Sequence, residues 1–158
     1  MDLEAKKTAL RMLSSGLYLI TIKQDKEATA STISWVNQAS FDPPLIMMGV
    51  RKDSNTNDLL RKAGCCALHF LKQDQKDLAE KFFKSVSLEG NTLGGLEFET
   101  QQTGAPIFKQ TAAHVECKII NEMAEGDHTV YLAEVVNAEV RENVTSLSMR
   151  DTPWHYGG

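Results

Sequence analysis

The chain has 158 residues, 42% hydrophobic and 24% charged, which suits one globular domain over residues 1–158 with its own core. Its net charge of −4 argues against a general nucleic-acid role, and no apolar run nears the roughly 20 residues of a membrane span. The start MDLEAKKTALRML mixes acids and bases without an apolar stretch, so no secretory signal is read and a cytoplasmic location is expected.

Residues 3–14 set Leu3, Ala5, Leu10 and Leu13 among charges, a pattern for a short helix that ends before Gly16. Residues 17–22 and 31–37 read as paired strands joined by a charged turn at 23–27. The stretch 28–44, ATASTISWVNQASFDPP, is unusual. Thr29, Ser31, Thr32, Ser34, Asn37, Gln38 and Ser40 make it polar on both faces, whereas a buried strand is near-continuously apolar, so it reads as a binding strand ended by Asp42-Pro43-Pro44. Residues 45–50 and 65–71 are apolar strands. Between them lies a helix capped by Asn55 or Thr56, with Leu59 and Leu60 facing inward and Gly64 at its end. A second helix is expected over 73–83, and residues 84–110, with Gly94-Gly95 and Gly104, form a long surface excursion. Residues 112–123 and 129–141 are long strands around the turn Glu125-Gly126-Asp127. Many strands and few helices suggest a mainly β protein closed into a barrel. Cys65, Cys66 and Cys117 match no CxxC pattern and read as reduced, mostly buried thiols.

Two features point to chemistry. Trp35 offers a flat apolar surface with one N–H, suited to stacking on a heterocycle. The loop 49–57, GVRKDSNTN, follows a strand and opens a helix, and its Arg51 and Lys52 stand among Ser54, Asn55, Thr56 and Asn57. Helix N-termini attract anions and a guanidinium grips phosphate oxygens as a fork, so this loop is the candidate phosphate site. Its bland alternative is a solvated loop whose Ser and Asn act as caps. His69 lies on an apolar strand and reads as a core or rim histidine, while nothing marks His114 as a ligand. The four histidines lack metal-ligand spacing, so no metal is expected. Phe82 and Phe83 suit helix packing. No GxSxG, Walker A or GxGxxG sequence is present, which gives no support to nucleophilic hydrolysis or Rossmann binding. The terminal DTPWHYGG carries Trp154, His155 and Tyr156, which either cover a bound ligand, pack across a dimer or form a mobile tail.

The ordered series ALRMLSSGLYLIT, ASTISWVNQASFDPPLIMMGV, RKDSNTNDLL, CCALHFL, DLAEKFF, GAPIF, AHVECKI and GDHTVYLAEV resembles the flavin reductase-like, FMN-binding split-barrel family over residues 10–140. SSGLYLIT and SWVNQASFDPP look especially like the flavin reductase module of bacterial flavodiiron proteins, and flavoredoxin is similar. The resemblance implies a six-stranded split β-barrel of Greek-key type that forms a homodimer and binds FMN, with FAD the less expected choice. It implies that Ala30, Ser31, Thr32, Ile33, Ser34 and Trp35 line the isoalloxazine. Asn37, Gln38, Ala39 and Ser40 would contact its polar edge and ribityl chain, and Arg51, Lys52, Ser54 and Asn57 the phosphate. His128, in Gly126-Asp127-His128-Thr129, resembles a histidine that lies near the nicotinamide. The activity implied is hydride transfer from NAD(P)H to flavin N5, with electrons passed to free flavin, ferric complexes or a protein acceptor. The alternatives are a flavoredoxin-like protein exchanging electrons with a protein partner, and a non-catalytic flavin binder.

Overall fold

The computed structural model describes residues 1–158. Helix α1 (Leu3–Arg11) is capped by Asp2, whose side chain accepts from Glu4 N and Ala5 N. It buries none of its residues, so Leu3 and Leu10 face solvent instead of a core. Polar contacts tie this region down, with Arg11 Nε donating to Gly157 O and Arg150 donating to Met12 O.

Strand β1 (Tyr18–Gln24) pairs antiparallel with β2 (Glu27–Ile33). Side chains alternate across a strand, and here both faces are covered: Ile20 and Ile22 enter one core, Leu19 another. At Ser34-Trp35 the chain leaves β2 and starts β3 (Val36–Ser40), which pairs with β4 (Leu45–Arg51). Helix α2 (Asn55–Ala63) follows, capped by Ser54 instead of Asn55 or Thr56, because the Ser54 side chain is the one that accepts from Asn57 N. Gly64, with φ 65°, ends it. Then come β5 (Cys65–Phe70) and α3 (Lys76–Lys81), shorter than the helix expected over 73–83. Strand β2 captures its last turn: Thr32 N donates to Phe82 O, and Thr32 Oγ1 donates to Ala79 O.

The 84–110 excursion forms β6 (Val86–Glu89), β7 (Thr92–Leu93), β8 (Leu96–Glu97), β9 (Glu99–Thr100) and β10 (Pro106–Ile107). The long hairpin β11 (Ala113–Met123) and β12 (His128–Val140) completes the sheet. Strand order is β3-β4-β12-β11-β5-β1-β2-β6-β7-β8, open at both ends. The expected closed barrel is therefore not formed. The fold is mainly β, and its sheet curls around α2, which holds β2 and β4 apart by placing Leu59 and Leu60 in a core with Ile20, Met48, Leu68 and Tyr131. A second core joins Leu19 and Ala30 to Phe82 and Phe108 on the outer face. Cys66 and Cys117 face each other across β5 and β11 as buried free thiols. No helix is long and apolar enough to cross a membrane.

Candidate functional site

A cleft of about 730 Å³ opens where β2 gives way to β3. Ser31 to Trp35, with Tyr156 beside Trp35, form one wall, Gly49 to Arg51 and the start of α2 the floor, and Phe83 to Ser85 with Trp154 the other side. The crossover is held against β4 because Gly49 N donates to Trp35 O over 2.8 Å. Gly49 has no side chain to keep the indole away: a Cβ there would lie 3.0 Å from Trp35 Cε3.

The strand's hydroxyls have less freedom than their density implies. Both faces of β2 are covered, so its polar groups need internal partners. Thr29 Oγ1 donates to Val86 O, Thr32 Oγ1 to Ala79 O, and the Ser31 and Thr56 hydroxyls lie 2.9 Å apart. What remains toward the cleft is the backbone of 32–35, Ser34 and the Trp35 ring, 37% exposed. Ala30 is fully buried behind this wall.

At the floor, Asn55 and Thr56 line the cleft as the first two residues of α2, and their N–H groups have no intrahelical acceptor. Ser54 Oγ accepts from Asn57 N and donates to Arg51 O over 2.6 Å, which fixes the loop. Arg51 lines the cleft and forms a fork with Asp53, Nε to Oδ1 2.9 Å and Nη2 to Oδ2 2.7 Å. That hydrogen bond and charge raise the guanidinium's pKa and hold the Asp53 carboxyl below the usual carboxylate range.

Other sequence candidates sit elsewhere. Lys52 turns away to donate to Ala124 O. Asn57 is buried, donating to Lys52 O and accepting from Tyr131 Oη over 2.8 Å, so it braces the loop from behind. Asn37 and Gln38 line a separate groove of about 310 Å³ with Tyr18 and Phe70, and Ala39 and Ser40 continue β3 away from the cleft. The break at Ser34-Trp35 accounts for this, since it sends β3 to the far end of the sheet from β2.

The register of β12 on β4 sets His128 opposite Arg51. The His128 ring lies 4.3 Å from the Trp35 ring, and its Nδ1 is 2.8 Å from Asp127 Oδ1. Its Nε2 is 2.7 Å from Tyr156 Oη. His128 therefore stands behind the cleft wall, while Tyr156 lies in it. Phe83 is also in the lining, with its ring 4.6 Å from that of Trp154, so the helix-packing expectation holds for buried Phe82 and not for Phe83. Of the residues that sequence reasoning assigned no role, Lys84, Ser85 and Met149 line the cleft. Nothing in their local pattern marks them, because they reach it from segments far apart in the chain. His69 and His114 lie together, ring centroids 6.1 Å apart, and both are buried on β5 and β11.

A curled, open antiparallel sheet with a polar cleft at its strand crossover is a split-barrel arrangement. The chain matches the flavin reductase like domain over residues 10–154 and belongs to that family. Diflavin flavoprotein A 1 of a Synechocystis species is 29% identical over 151 residues, covering 94% of this chain and 26% of that protein. The chain thus spans about a quarter of the length of the curated relatives it matches. The NADH:FAD oxidoreductase SgcE6 of Streptomyces globisporus superposes with a TM-score of 0.75 at 23% identity, covering 86% of this chain and 81% of that one. Flavin reductase PheA2 gives a TM-score of 0.75 at 25% identity, with 90% of each chain covered.

Proposed function

We propose that the cleft binds a flavin and that the chain is an NAD(P)H:flavin oxidoreductase. One observation carries this reading. A strand wall that ends in an exposed indole, suited to a flat heterocycle, meets a helix N-terminus and a guanidinium, suited to a phosphate, within one cleft of about 730 Å³. The donor set fits the cofactor at both ends. Residues 32–35 would hold the ring, with Trp35 as the stacking surface. Asn55 and Thr56 N–H with Arg51 would hold the phosphate, while Ser54, Asn57 and Lys52 shape the loop. A compact anion site for one terminal phosphate favours FMN over FAD.

Bound flavin supplies the hydride acceptor that a nicotinamide nucleotide reduces. The protein's share is to orient the two rings against the wall at Trp35. No side-chain acid or base is needed for that step. Residues 1–158 act as one domain in this reading, in the cytoplasm and as a homodimer, with free flavin, a ferric complex or a protein as final acceptor.

The test is an absorbance spectrum of the purified protein followed by anaerobic NADH and then NADPH. Flavin bands that bleach support the reductase. Bands that persist with both nucleotides remove the nicotinamide activity and leave exchange with a protein partner. A colourless protein that takes up no added FMN defeats the site.

A further inference from the structure

Tyr156 ends a chain of side chains that begins at Asp127 and passes through His128. The two contacts are short, 2.8 Å at Nδ1 and 2.7 Å at Nε2, so each holds one proton between its heavy atoms. Asp127 accepts at one end, and the His128 hydrogen bond holds its carboxyl below the usual carboxylate range. In the imidazole tautomer that donates Nδ1–H to that carboxylate, Nε2 is a lone pair. In that tautomer the proton in the second contact is the tyrosine's own. Burial pushes the Tyr156 phenol up, so that proton is retained.

A phenol has one O–H and two acceptor positions. With its O–H given to His128, Tyr156 keeps its lone pairs for a donor in the cleft it lines. The position is held. Gly157 O accepts from Arg11 Nε over 3.1 Å, and Gly157, at φ +95°, passes Trp35 where a Cβ would come within 3.2 Å of Cζ2. The Tyr156 and Trp35 rings, 5.4 Å apart, flank the same side of the cleft. The nearby carboxylate of Asp53 is engaged by Arg51. Tyr156 Oη therefore stands in the cleft as an uncharged acceptor.

We infer that Tyr156 Oη is a specificity contact that accepts a hydrogen bond from a planar N–H donor on a bound heterocycle, with Asp127 and His128 as the residues that set its polarity. Two ligands of the proposed reaction carry such a donor: the carboxamide of a nicotinamide nucleotide and the ring imide of a flavin. The inference rests on the flavin reductase reading for the identity of these ligands.

Tyr156→Phe keeps the ring against Trp35 and removes only the oxygen. Loss of one neutral hydrogen bond is expected to raise a single constant by about tenfold. A rise in KM for the nicotinamide nucleotide, with kcat and flavin Kd unchanged, assigns the donor to the carboxamide. A rise in flavin Kd, read by fluorescence quenching with KM unchanged, assigns it to the imide. Both constants unchanged, or both raised together as for a merely structural residue, would overturn the inference. A long-range 1H–15N spectrum of the parent's histidine rings tests it without turnover. His128 protonated at Nδ1 supports it, whereas a neutral ring protonated at Nε2 would make Tyr156 the acceptor and overturn it. A parent that oxidises neither nucleotide removes the reductase reading alone. The inference then stands or falls on the flavin titration and the ring spectrum.

Discussion

Arg51 and Asp53, two residues apart at the mouth of the cleft, hold each other in a two-pronged ion pair at 2.9 and 2.7 Å. Their side chains are 58% and 71% exposed, so solvent screens the pair and it is weak. A phosphate at the start of α2 can therefore draw Arg51 from Asp53. Arg51→Ala is expected to raise flavin Kd by about tenfold or more, and Asp53→Ala to lower it several-fold by freeing the guanidinium. Fluorescence titration with FMN checks both signs. Equal Kd in the parent and the Arg51 variant would defeat the phosphate assignment.

Gly49 and Trp35 give a second test. Gly49→Ala places a methyl 3.0 Å from Cε3 and 3.3 Å from Cβ of Trp35, so that side chain must move by a few tenths of an ångström. The overpacking is expected to cost about 1 kcal/mol and lower Tm by about 2–4 °C. Calorimetry and the near-ultraviolet signal of Trp35 follow it. An unshifted melt with an unchanged spectrum would show that the contact has slack.

Glu116 is fully buried on β11, and four donors converge on it: Gln102 N at 3.1 Å, Thr103 N at 2.7 Å, Thr103 Oγ1 at 2.6 Å and Asn137 Nδ2 at 2.8 Å. Burial opposes its charge, but the Thr103 and Asn137 hydrogen bonds outweigh that and hold the carboxyl below its usual range. Glu116→Gln turns an N–H₂ toward these donors and is expected to cost about 1–3 kcal/mol. Amide exchange at Gln102 and Thr103 should quicken first, since the carboxylate pins that loop to the sheet. Exchange slowed or unchanged there would count against this.

His69 sets a pH dependence. Burial, then the charges of His114 and Arg141, lowers its pKa from 6.5 to about 3, and neither ring nitrogen has a partner. The unfolded chain therefore binds a proton between these values that the folded chain refuses. Stability is full above pH 6.5 and falls as pH drops toward 3, by about 1.4 kcal/mol per unit. Urea melts at pH 7 and pH 5 should differ in the parent and differ less in His69→Leu. The same pH slope in both proteins would assign the loss to other groups.

A homodimer is expected because β3 leaves one edge of the sheet unpaired and Phe41 beside it is 90% exposed. Light scattering at micromolar concentration should give twice 17.5 kDa. A mass of 17.5 kDa would remove the dimer.

Much of the strand framework was legible because alternation and turn residues act locally. The hairpin around Gly126 and the apolar runs at 45–50 and 65–71 needed no partner to be seen. The helix limits were less legible. Ser54 took the cap because its hydroxyl also reaches Arg51 O, and α3 ended early because Thr32 claimed its carbonyls. Both are decided by residues distant from the local pattern or by one rotamer among several capable caps. Within the binding stretch, the polar density at 29–34 suggests a waiting ligand, whereas Thr29 and Thr32 already satisfy backbone carbonyls.

Sequence alone determined the mainly β class, the family resemblance and the candidate loop at 49–57, since each rests on residue types at short spacing. The tertiary structure decided the rest. It left the sheet open around α2, separated Asn37 to Ser40 from Ser31 to Trp35, and brought Asp127, His128, Trp35 and Tyr156 to one wall. Strand register across β4 and β12 and the return of residues 152–158 to the crossover make that cluster. Neither is encoded by any local period, because each depends on which distant surfaces bury one another best.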